Sequence, residues 1–319
     1  MSAIYINEQT ASSLLTMDDA LKLVEESFTT YAQGKSFNMT RQRMRIRKGA
    51  LHMLPGAVPY KNVIGYKAYT SFRAGLIFKV HLYDAENGNP LAIIDANEIG
   101  RLRTGAASGV ASQYMAKENS QTAFIFGGGF QAEAQLEAVS KTTNIKKAYV
   151  FTRTYENAQN FALKMSKSLG IEVIPTQNIA EDLVKSDIII TITTSTKPLF
   201  DHTMLNPNGV HINGAGSNAL IRAEVPEKTI EAAEVLAVDN KEVAAIECGD
   251  ILPSLEKGRL HWNNILELGE ITAGYRKGRL TDNGITIFQS QGMGLQDIIC
   301  AEYIYRKAIS QNLGVELPF

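Results

Sequence analysis

The chain has 319 residues, 45% of them hydrophobic and 20% charged, a composition typical of globular proteins and a length sufficient for two domains with separate cores. The net charge of -1 argues against nucleic acid as the main partner, because phosphate binding requires a basic surplus. Two cysteines, no basic and apolar leader, and no apolar run of about 20 residues predict a cytoplasmic protein without disulfides or a membrane span.

The first 118 residues have the pattern of a mixed or antiparallel sheet with a helix. The helix is predicted to open at Thr16, with Asp19 at capping-box spacing, and to end at Gly34. Asn87-Gly88 is typical of a hairpin turn, and Pro55-Gly56 is expected to end the strand that precedes it. Strands are predicted at 3–6, 41–47, 51–54, 63–72, 76–83 and 91–94.

Basic residues within these strands are candidates for binding an anionic substrate. Arg41, Arg43, Arg45 and Arg47 alternate along the chain, so a strand would place them on one face. This face is either simply solvated or offers at least one guanidinium for the paired hydrogen bonds that a carboxylate accepts. Lys67 lies among apolar residues, where it either reaches solvent from a sheet edge or is paired or used.

The segment after the last of these strands predicts a helix rich in small residues. Asp95 and Glu98 have the spacing of an N-cap signature, and the helix continues through Arg103, Thr104 and GAASGVAS. Small side chains allow such a helix to lie close to another backbone or a ligand, and Arg103 and Thr104 could then bind phosphate or carboxylate. The alternative is a tightly packed helix with its arginines in solvent. A domain boundary is predicted at 119–121.

The stretch Thr122–Ala132, TAFIFGGGFQA, matches a dinucleotide-binding fingerprint in its Gly/Ala form. Gly127 allows the tight turn, Gly129 lets the backbone approach a pyrophosphate, and Ala132 lets the following helix pack closely on the strand. The N-terminus of that helix then faces the anion. Glycines after a strand are also common as a simple turn, but the alternation of strands and helices downstream favours the nucleotide interpretation.

The region after the fingerprint predicts a doubly wound parallel sheet of Rossmann type. Its strands are expected at 148–152, 172–174, 187–191, 210–212 and 234–239, the last of these being the final strand of the domain. Helices are expected at 156–169, at 254–279 and at 294–310, the last packing back on the first domain. The predicted fold class is therefore α/β, with a Rossmann-type domain and a second, mixed α+β domain.

Polar residues at the ends of these strands are candidates for cofactor binding. Thr152-Arg153-Thr154 stands about twenty residues past the glycines, where an NAD-preferring site usually has an acid for the ribose hydroxyls. A neutral residue followed by arginine suits the 2′-phosphate of NADP, so NADP(H) is expected over NAD(H). The alternative is that Arg153 stacks on adenine or faces water. Thr193 and Asn213 follow two further strands at their carboxyl ends, where ligands bind in such sheets.

With these motifs the chain resembles the ornithine cyclodeaminase/mu-crystallin family over nearly its whole length. The stretches that carry the resemblance are TRQRMRIRKGALHMLPGA, GYKAY, RLRTGAASGVAS, FGGGFQAEAQLEA, NGAGSN with Arg222 and Glu224 after it, and FQSQGMGLQD. The resemblance implies a homodimer in which a Rossmann domain (119–289) is inserted into a substrate-binding and dimerisation domain (1–118 with 290–319).

The resemblance also implies site residues. Positions that hold the substrate carboxylate correspond to Arg41, Lys67 and Arg103, and positions that contact the cofactor correspond to Phe130, Gln131, Arg153, Thr193 and Ser290. Ornithine cyclodeaminases have a catalytic aspartate where this chain has Asn218, and a glutamate where it has His52. An amide cannot act as a base, so ornithine cyclisation is disfavoured. Asn218 stays a candidate catalytic position, and His52 a candidate substrate contact.

The function that the resemblance implies is an NAD(P)H-dependent imine reductase of small cyclic α-imino acids. The first candidate reaction is Δ1-pyrroline-2-carboxylate to L-proline, and the second is Δ1-piperideine-2-carboxylate to L-pipecolate. Lys67 either holds the carboxylate or supplies a proton, and Asp297 either touches the site or serves as a cap or salt-bridge partner. The alternatives are an alanine dehydrogenase, an ornithine cyclodeaminase and a non-enzymatic, nucleotide-bound crystallin. No metal is expected, because metal-ligand spacing is not found among His81, His202, His211 and His261.

Overall fold

The computed structural model describes residues 2–318. The chain forms two compact units, a discontinuous unit made of residues 1–103 and 292–319 and a central unit made of residues 104–291. The central unit therefore interrupts the discontinuous unit in the sequence.

The discontinuous unit begins with a short strand and two helices, followed by a series of strands. In chain order its elements are β1 (Ile4–Ile6), α1 (Glu8–Leu14), α2 (Met17–Ala32), β2 (Phe37–Asn38), β3 (Gln42–Ile46), β4 (Gly49–Val58), β5 (Val63–Phe72), β6 (Gly75–Asp84) and β7 (Pro90–Asp95). The capping box predicted for α2 is confirmed, because the Thr16 side chain accepts from the Asp19 backbone N–H and the Asp19 carboxylate accepts from the Thr16 backbone N–H.

The next helix, α3 (Asn97–Met115), crosses into the central unit, and the chain later returns for its last elements. The central elements are β8 (Thr122–Phe126), α4 (Phe130–Thr142), β9 (Lys147–Phe151), α5 (Tyr155–Leu169), β10 (Glu172–Pro175), α6 (Ile179–Leu183), β11 (Ile188–Thr191), β12 (Val210–Gly214), α7 (Glu227–Glu231), β13 (Val235–Val238), α8 (Lys241–Glu247), α9 (Leu252–Glu256), β14 (Ile265–Glu267), α10 (Leu268–Thr272) and β15 (Ile285–Gln289). The returning elements are α11 (Gly294–Ser310) and β16 (Val315–Glu316). No helix within residues 2–318 combines the length and the apolar character needed to cross a lipid bilayer.

The discontinuous unit is built on a mixed sheet, as predicted. Among the described residues the strand order is β16-β1-β7-β6-β5-β4-β2, with β3 paired to β4. β1 and β7 are parallel, whereas the long strands β4, β5 and β6 are antiparallel. The closing helix α11 packs on β4, β5, β6 and α2. The sheet face beneath it carries the buried side chains of Leu54, Val58, Val63, Val80 and Leu82.

Strand β4 is longer than predicted, because it continues through Pro55 and Gly56. Pro55 stands opposite Tyr66 in the ladder with β5, and Gly56 stands opposite Gly65. Proline fits an extended backbone and removes only its own ladder donor, so a strand can pass through it. The prediction that Pro55-Gly56 ends the strand is therefore wrong.

The N-terminus of α3 is capped by a distant side chain rather than by Asp95. The Glu8 carboxylate accepts hydrogen bonds from the backbone N–H groups of Asn97 at 3.0 Å and Glu98 at 2.7 Å. Asp95 accepts instead from the Tyr5 hydroxyl at 2.7 Å. The predicted N-cap is wrong, since a carboxylate from α1 satisfies the free N–H groups of the first helical turn.

The division between the units falls within α3, after Arg103, whereas the boundary was predicted at 119–121. From Thr104 onward the helix packs inside the central unit. A β-carbon at Gly105 would meet the Ala134 carbonyl oxygen of α4 at 2.4 Å, and Gln135 Nε2 donates to the Thr104 carbonyl at 3.1 Å. The small residues of GAASGVAS thus allow α3 to approach α4 closely, as their size predicts. Through this contact the second part of α3 packs within the central unit.

The central unit contains a parallel sheet with the order β10-β9-β8-β11-β12-β15-β13-β14 among the described residues. Its first five strands have the order 3-2-1-4-5 of a doubly wound nucleotide-binding fold. Alternate residues of β8 enter two cores, since Ala123 and Ile125 pack with α4 and α5, whereas Phe124 and Phe126 pack on the opposite face. The predicted α/β class and Rossmann-type sheet are confirmed.

The end of the central unit differs from its prediction. The helix expected at 254–279 is wrong, because the segment contains α9, β14 and α10 separated by turns. Gly258 and Gly274 have φ of 67° and 77°, and left-handed glycines of this kind end helices. β13 is not the final strand, since β14 and β15 both pair with it in parallel.

Candidate active site

Four charged side chains of the discontinuous unit form what we call the charged cluster: Arg41, Lys67, Arg103 and Asp297. Lys67 Nζ, from the middle of β5, donates to Asp297 Oδ1 at 2.7 Å, and Arg103 Nε donates to the same oxygen at 3.1 Å. Arg41 immediately precedes β3, and its charge also acts on Lys67. The exposed fractions are 0% for Asp297, 3% for Lys67 and 7% for both arginines. Charged groups are rarely buried to this extent without a partner or a use.

Two glycines allow α11 to bring Asp297 to the strands. A β-carbon at Gly56 of β4 would meet Leu295 Cα at 2.8 Å, and one at Gly294 would meet the Leu54 carbonyl oxygen at 2.5 Å. The N-terminus of α11 therefore lies directly on the backbone of β4. Because Leu54 stands opposite Lys67 in the ladder with β5, the first turn of α11 is held beside Lys67.

The guanidinium of Arg103 occupies space beside a residue that must be glycine. Gly292 has a φ of 85°, and a β-carbon there would meet Arg103 Nη1 at 2.6 Å. Arg103 Nη1 also donates to Gln296 Oε1 at 3.4 Å. The stretch QGMGLQD, which carries part of the family resemblance, thus shapes the site from the α11 side.

Burial and like charges set the acidity of Lys67. Burial is the main cause that lowers the pKa of Lys67, Arg103 lowers it further, Asp297 raises it, and Arg41 lowers it again. The resulting pKa of Lys67 is about 7. A group with a pKa near the ambient pH can both give and regain a proton, which is the requirement for acid–base catalysis.

Two polar atoms on the α11 side of the cluster retain hydrogen-bonding capacity. Asp297 Oδ2 and Gln296 Nε2 are buried and have no hydrogen-bond partner within residues 2–318. Buried polar groups are usually paired, so such atoms call for a ligand or a water. One is an acceptor and the other a donor, which suits a small polar molecule that carries both kinds of group.

His52, a predicted substrate contact, lies on the same sheet face as Lys67 but already has partners. Its Nε2 is 2.9 Å from Ser71 Oγ, and its ring stacks on Tyr69 with 4.2 Å between the centroids. Burial, followed by the charges of nearby arginines, lowers the pKa of His52 to about 4. The ring is therefore neutral at neutral pH.

The four alternating arginines do not share one environment. Arg41 is buried, Arg43 is half-buried opposite His52 on β4, and Arg45 and Arg47 are exposed. The short strand β3 lies at the edge of the sheet, so its later residues extend into solvent. Arg41 is thus the member of this series that belongs to the charged cluster.

The central unit has its own cavity, of about 930 Å³, at the carboxyl ends of β8, β9 and β11. It is lined by the glycine turn 127–129 after β8, by residues 151–154 at the end of β9 and by residues 192–196 after β11. The strand order reverses at β8, and ligands of doubly wound sheets bind at such switch points. Of the predicted cofactor residues, the cavity is lined by Gly127, Gly129, Thr152, Arg153 and Thr193.

The glycine turn fits the pyrophosphate of a nicotinamide dinucleotide. Gly127 has a φ of 111°, and a β-carbon there would meet the Ile192 carbonyl oxygen at 2.5 Å. Gly129 is the N-cap of the 13-residue helix α4 and provides no side-chain cap, and a β-carbon there would meet open space. Free backbone N–H groups at a helix N-terminus bind anions. These N–H groups would hold the pyrophosphate of the cofactor.

Other predicted cofactor residues do not line this cavity. Ala132, in the first turn of α4, is fully buried in the core that α4 shares with β8, which is the packing role that the fingerprint assigns to it. Asn213 Nδ2 donates to Ser112 Oγ at 2.9 Å, and Ser290 Oγ lies 3.5 Å from Asp239 Oδ2.

Five more candidates also lie outside the cavity lining. Phe130 is 51% exposed at the start of α4, and Gln131 follows it with its Oε1 buried and without a hydrogen-bond partner within residues 2–318. The Thr104 carbonyl accepts from α4, and Arg103 belongs to the charged cluster. Asn218, the candidate catalytic position, is half-buried in the loop after β12, in the central unit.

A buried glutamate organises the loops beside the cavity, although the sequence assigned it no role. Glu224 accepts hydrogen bonds from Thr193 N–H at 2.7 Å, Thr193 Oγ1 at 2.6 Å, Thr191 Oγ1 at 2.9 Å and Gly216 N–H at 2.9 Å. Its own backbone N–H donates to Asp250 Oδ1 at 2.7 Å. Burial raises the pKa of Glu224, and the hydrogen bonds from Thr193 and Thr191 oppose this change.

Comparison with known proteins identifies the family. Residues 3–312 match the family model described as "Ornithine cyclodeaminase/mu-crystallin family". The chain belongs to this family. The assignment confirms the resemblance carried by the motifs of the sequence.

The relatives include reductases and a dehydrogenase. A Delta(1)-pyrroline-2-carboxylate reductase from Bacillus cereus is 35% identical over 263 residues, which cover 82% of this chain and 78% of the relative. The structure of Thermococcus litoralis Delta(1)-pyrroline-2-carboxylate reductase in complex with NADH and L-proline has a TM-score of 0.92 at 32% identity, covering 98% of this chain and 100% of that one. An archaeal alanine dehydrogenase dimer with bound NAD has a TM-score of 0.93 at 30% identity, covering 100% of both chains.

Proposed function

We propose that this chain is an NAD(P)H-dependent imine reductase that acts on small cyclic α-imino acids. Its first substrate is Δ1-pyrroline-2-carboxylate, reduced to L-proline, and its second is Δ1-piperideine-2-carboxylate, reduced to L-pipecolate. The charged cluster carries this proposal. Lys67 and Arg103, both buried, bind one buried carboxylate, Asp297, and the charge of the buried Arg41 acts on the same lysine, so the cluster offers several cationic donors to a substrate carboxylate.

The residues of the cluster orient the substrate. Arg41 and Arg103 hold its carboxylate, and the charge of Lys67 adds to this attraction. The nicotinamide cofactor supplies a hydride when bound. Fixing a reactant in one orientation can lower a barrier by several kcal/mol, and by roughly 7 to 11 kcal/mol at the extreme. A cyclic imine is rigid, so holding its carboxylate also directs its C=N bond.

Two of the relatives support this substrate class. The Bacillus cereus and Thermococcus litoralis proteins are both named Delta(1)-pyrroline-2-carboxylate reductases, and the second is a complex with NADH and L-proline. The chain acts in the same class of reaction, as an oxidoreductase of C=N and CH–NH bonds.

The test is the oxidation of NADPH and NADH by the purified protein with each cyclic imine, followed by the loss of cofactor absorbance. We expect turnover of the five-membered imine, with Arg41→Ala raising KM strongly. Arg45→Ala provides the matched control, because Arg45 is exposed and belongs to the same series of arginines. Absence of turnover with either imine and either cofactor would disprove the proposal.

Alanine dehydrogenation is a second candidate, favoured by the likeness to the archaeal alanine dehydrogenase. The charged cluster would hold the carboxylate of pyruvate as well as that of a cyclic imine. The two reactions differ in their need for free ammonia, because a cyclic imine already contains its nitrogen. Pyruvate reduction that requires ammonia, without turnover of either imine, would favour the dehydrogenase.

Ornithine cyclodeamination and a purely structural role have less support. Asn218 stands where ornithine cyclodeaminases have a catalytic aspartate, and an amide cannot act as a base in its place. A nucleotide-bound crystallin has no need for buried cations arranged around a carboxylate. Release of ammonia from L-ornithine would contradict the first argument, and nucleotide binding without any turnover would contradict the second.

We also propose that NADP(H) is preferred over NAD(H). Arg153 lies at the end of β9 and lines the cavity, next to the neutral Thr152. A guanidinium there suits a 2′-phosphate, whereas an acid would suit free ribose hydroxyls. The Thermococcus litoralis and archaeal relatives were solved with NADH and NAD, so the ratio of NADPH to NADH turnover is the decisive measurement for this chain.

We further propose a homodimer that forms on the open face of the sheet in the discontinuous unit. The face opposite α11 carries Leu51, Ile64, Phe72 and Ile77, which are 37%, 47%, 43% and 64% exposed. Several exposed apolar side chains on one sheet face are typical of an interface, and the archaeal relative is a dimer. Ile64→Glu should lower the mass measured by light scattering to that of a monomer, whereas Leu163→Glu, at an exposed position of α5 in the central unit, should leave it unchanged.

A cytoplasmic location is part of the proposal. Cys248 and Cys300 are both free and buried, and free thiols persist in reducing compartments. Fractionation of cells that produce the tagged chain would test this location, and recovery in a secreted fraction would contradict it.

A further inference from the structure

We propose that Asp297 is a positioning residue that holds Lys67 Nζ as the proton donor to the imine nitrogen and holds Arg103 as the ligand of the substrate carboxylate. This inference rests on the proposed imine reduction and deepens it, because it assigns the proton of the reaction to one atom of the chain.

One carboxylate oxygen organises both cations. Asp297 Oδ1 accepts from Lys67 Nζ at 2.7 Å and from Arg103 Nε at 3.1 Å. An ammonium has three N–H donors and a guanidinium has five, so both cations keep donors for a substrate after binding Asp297. Because the two cations share one oxygen, a displacement of Asp297 would displace both of them.

The backbone leaves Asp297 little freedom. The residue lies in the first turn of α11, whose N-terminus contacts β4 through Gly56 and Gly294. The helix N-terminus favours a negative charge at this point, and the side chain is fully buried. A residue that positions others needs this kind of support from a rigid element.

Asp297 is the group near Lys67 that favours the charged form of the lysine. The charged or titratable groups on the elements around Lys67 are Arg41 before β3, His52 on β4, Arg103 on α3, and Asp297 and Cys300 on α11. Burial raises the pKa of the Cys300 thiol, and burial with nearby arginines lowers the pKa of His52 to about 4, so both are neutral at neutral pH. Of the remaining charges, the arginines lower the pKa of Lys67 and Asp297 raises it.

The proton transfer balances the hydride transfer. A bound reduced nicotinamide would supply a hydride to the imine carbon and would itself be oxidised, so the π electron pair of the C=N bond would move to nitrogen. That nitrogen forms an N–H bond with one proton of Lys67 Nζ, and the product is a secondary amine. Lys67 is left as a neutral amine and regains its proton from water.

The experiment compares Asp297→Asn with a matched control on the same helix. Glu302→Gln removes an α11 carboxylate that is 6% exposed and accepts from Arg306 Nε at 3.0 Å. For each protein, kcat and KM for the imine are measured across pH with saturating reduced cofactor. The Cε signal of Lys67 is followed in parallel by NMR of protein labelled with ¹³C at lysine Cε, and the signal is assigned by its loss in Lys67→Arg.

We expect Asp297→Asn to lower kcat by at least about tenfold. A proton donor accelerates a reaction by roughly 10²- to 10⁴-fold, and part of this acceleration is lost when the donor, here Lys67, is misplaced. A donor is active below its pKa, so kcat should fall as the pH rises through the pKa of Lys67. Loss of the opposite charge should move this fall, and the NMR titration, to lower pH by roughly 1 to 3 units. Glu302→Gln should leave both unchanged.

An Asp297→Asn protein that folds and binds cofactor, with the pH profile and the Lys67 titration of the wild type, would overturn the inference. If the asparagine variant does not fold, Asp297→Glu replaces it: retention of the charge should keep the pH profile while kcat falls, and an unchanged kcat would overturn the inference. If the wild type turns over no imine, the proposed function fails, but the NMR titration still decides whether Asp297 sets the state of Lys67.

Discussion

Each unit buries a carboxylate in or beside its candidate site, and the two carboxylates differ in the partners that they bind. In the discontinuous unit, Asp297 accepts from the cations Lys67 and Arg103. In the central unit, Glu224 accepts from the hydroxyls of Thr191 and Thr193 and from backbone N–H groups. A carboxylate paired with a titrating cation controls where a proton lies, whereas a carboxylate paired with backbone N–H groups fixes the course of a loop.

This difference predicts which substitutions change the pH dependence of kcat and which change the stability of the protein. The pKa of Lys67 is about 7, so a change of pH near neutrality alters the charge beside Asp297. The hydroxyl and backbone N–H groups that donate to Glu224 do not titrate near neutral pH, so none of its partners changes charge there. We therefore expect substitutions in the charged cluster to change kcat and its pH profile, and substitutions at Glu224 to change stability and cofactor affinity.

The largest effect is expected for Lys67→Met, since this substitution removes the titrating cation of the charged cluster. Removing a proton donor should lower kcat by roughly 10²- to 10⁴-fold, while Arg103 remains as the partner of Asp297 and the fold is kept. Steady-state kinetics with the cyclic imine provide the measurement, with thermal unfolding as a check of folding.

Lys79→Met is the matched control for this prediction. Lys79 lies on the neighbouring strand β6, opposite Ala68 in the ladder, and pairs with Asp95 on the other sheet face. A partly exposed pair of this kind contributes about 0 to 1 kcal/mol to stability, so turnover should persist. A folded Lys67→Met protein with near-normal kcat would show that the cluster binds the substrate without supplying its proton.

A smaller effect, on stability and cofactor affinity, is expected for Glu224→Gln. Glutamine turns one carboxylate oxygen into an NH₂ group that faces either the Thr193 or the Gly216 N–H, so a buried donor loses its acceptor at a cost of about 1 to 3 kcal/mol. The free energy of unfolding by urea should fall by this amount, and NADPH should bind more weakly because Thr193 lines the cavity.

Glu227→Gln tests whether the effect is specific to the buried carboxylate. Glu227 lies three residues later and pairs with Lys257 at 2.6 Å, where the lysine side chain is 50% exposed. Such a surface pair contributes about 0 to 1 kcal/mol. Equal destabilisation by both substitutions would mean that the hydrogen bonds to Glu224 are not what holds the loops.

The elements that follow a periodic pattern could be predicted from the sequence, and the partners of the buried acids could not. Lys67 stands out because a lysine among apolar strand residues needs an explanation, and Gly127 stands out because turns and phosphate binding require glycine. Asp297 and Glu224 have no such local signal, because acids are common in helices and loops. Their importance depends on contacts with residues that are distant in the sequence. Asp297 binds Lys67, 230 positions earlier, and Glu224 binds Thr191, 33 positions earlier.

The errors in the predicted fold have the same origin. Pro55 was expected to end β4 on local grounds, but pairing on both sides holds the strand in an extended form. Asp95 was expected to cap α3, but the Glu8 carboxylate of α1 accepts the hydrogen bonds of the free N–H groups instead. In both cases a tertiary contact outweighs a local preference, which for a helix N-cap is worth about 1 kcal/mol.

The smallest effect is expected for Arg153→Ala, a substitution that tests cofactor choice separately from catalysis. Arg153 is exposed, so solvent screens its charge and the loss in NADPH affinity should be roughly three- to tenfold, about 1 kcal/mol. NADH affinity should change little, because NADH lacks the 2′-phosphate. Arg259→Ala, another exposed arginine of the central unit, should alter neither affinity. An equal loss for NADPH and NADH would instead indicate that Arg153 stacks on the adenine shared by both cofactors, and the preference for NADP(H) would then have to come from other residues of the cavity.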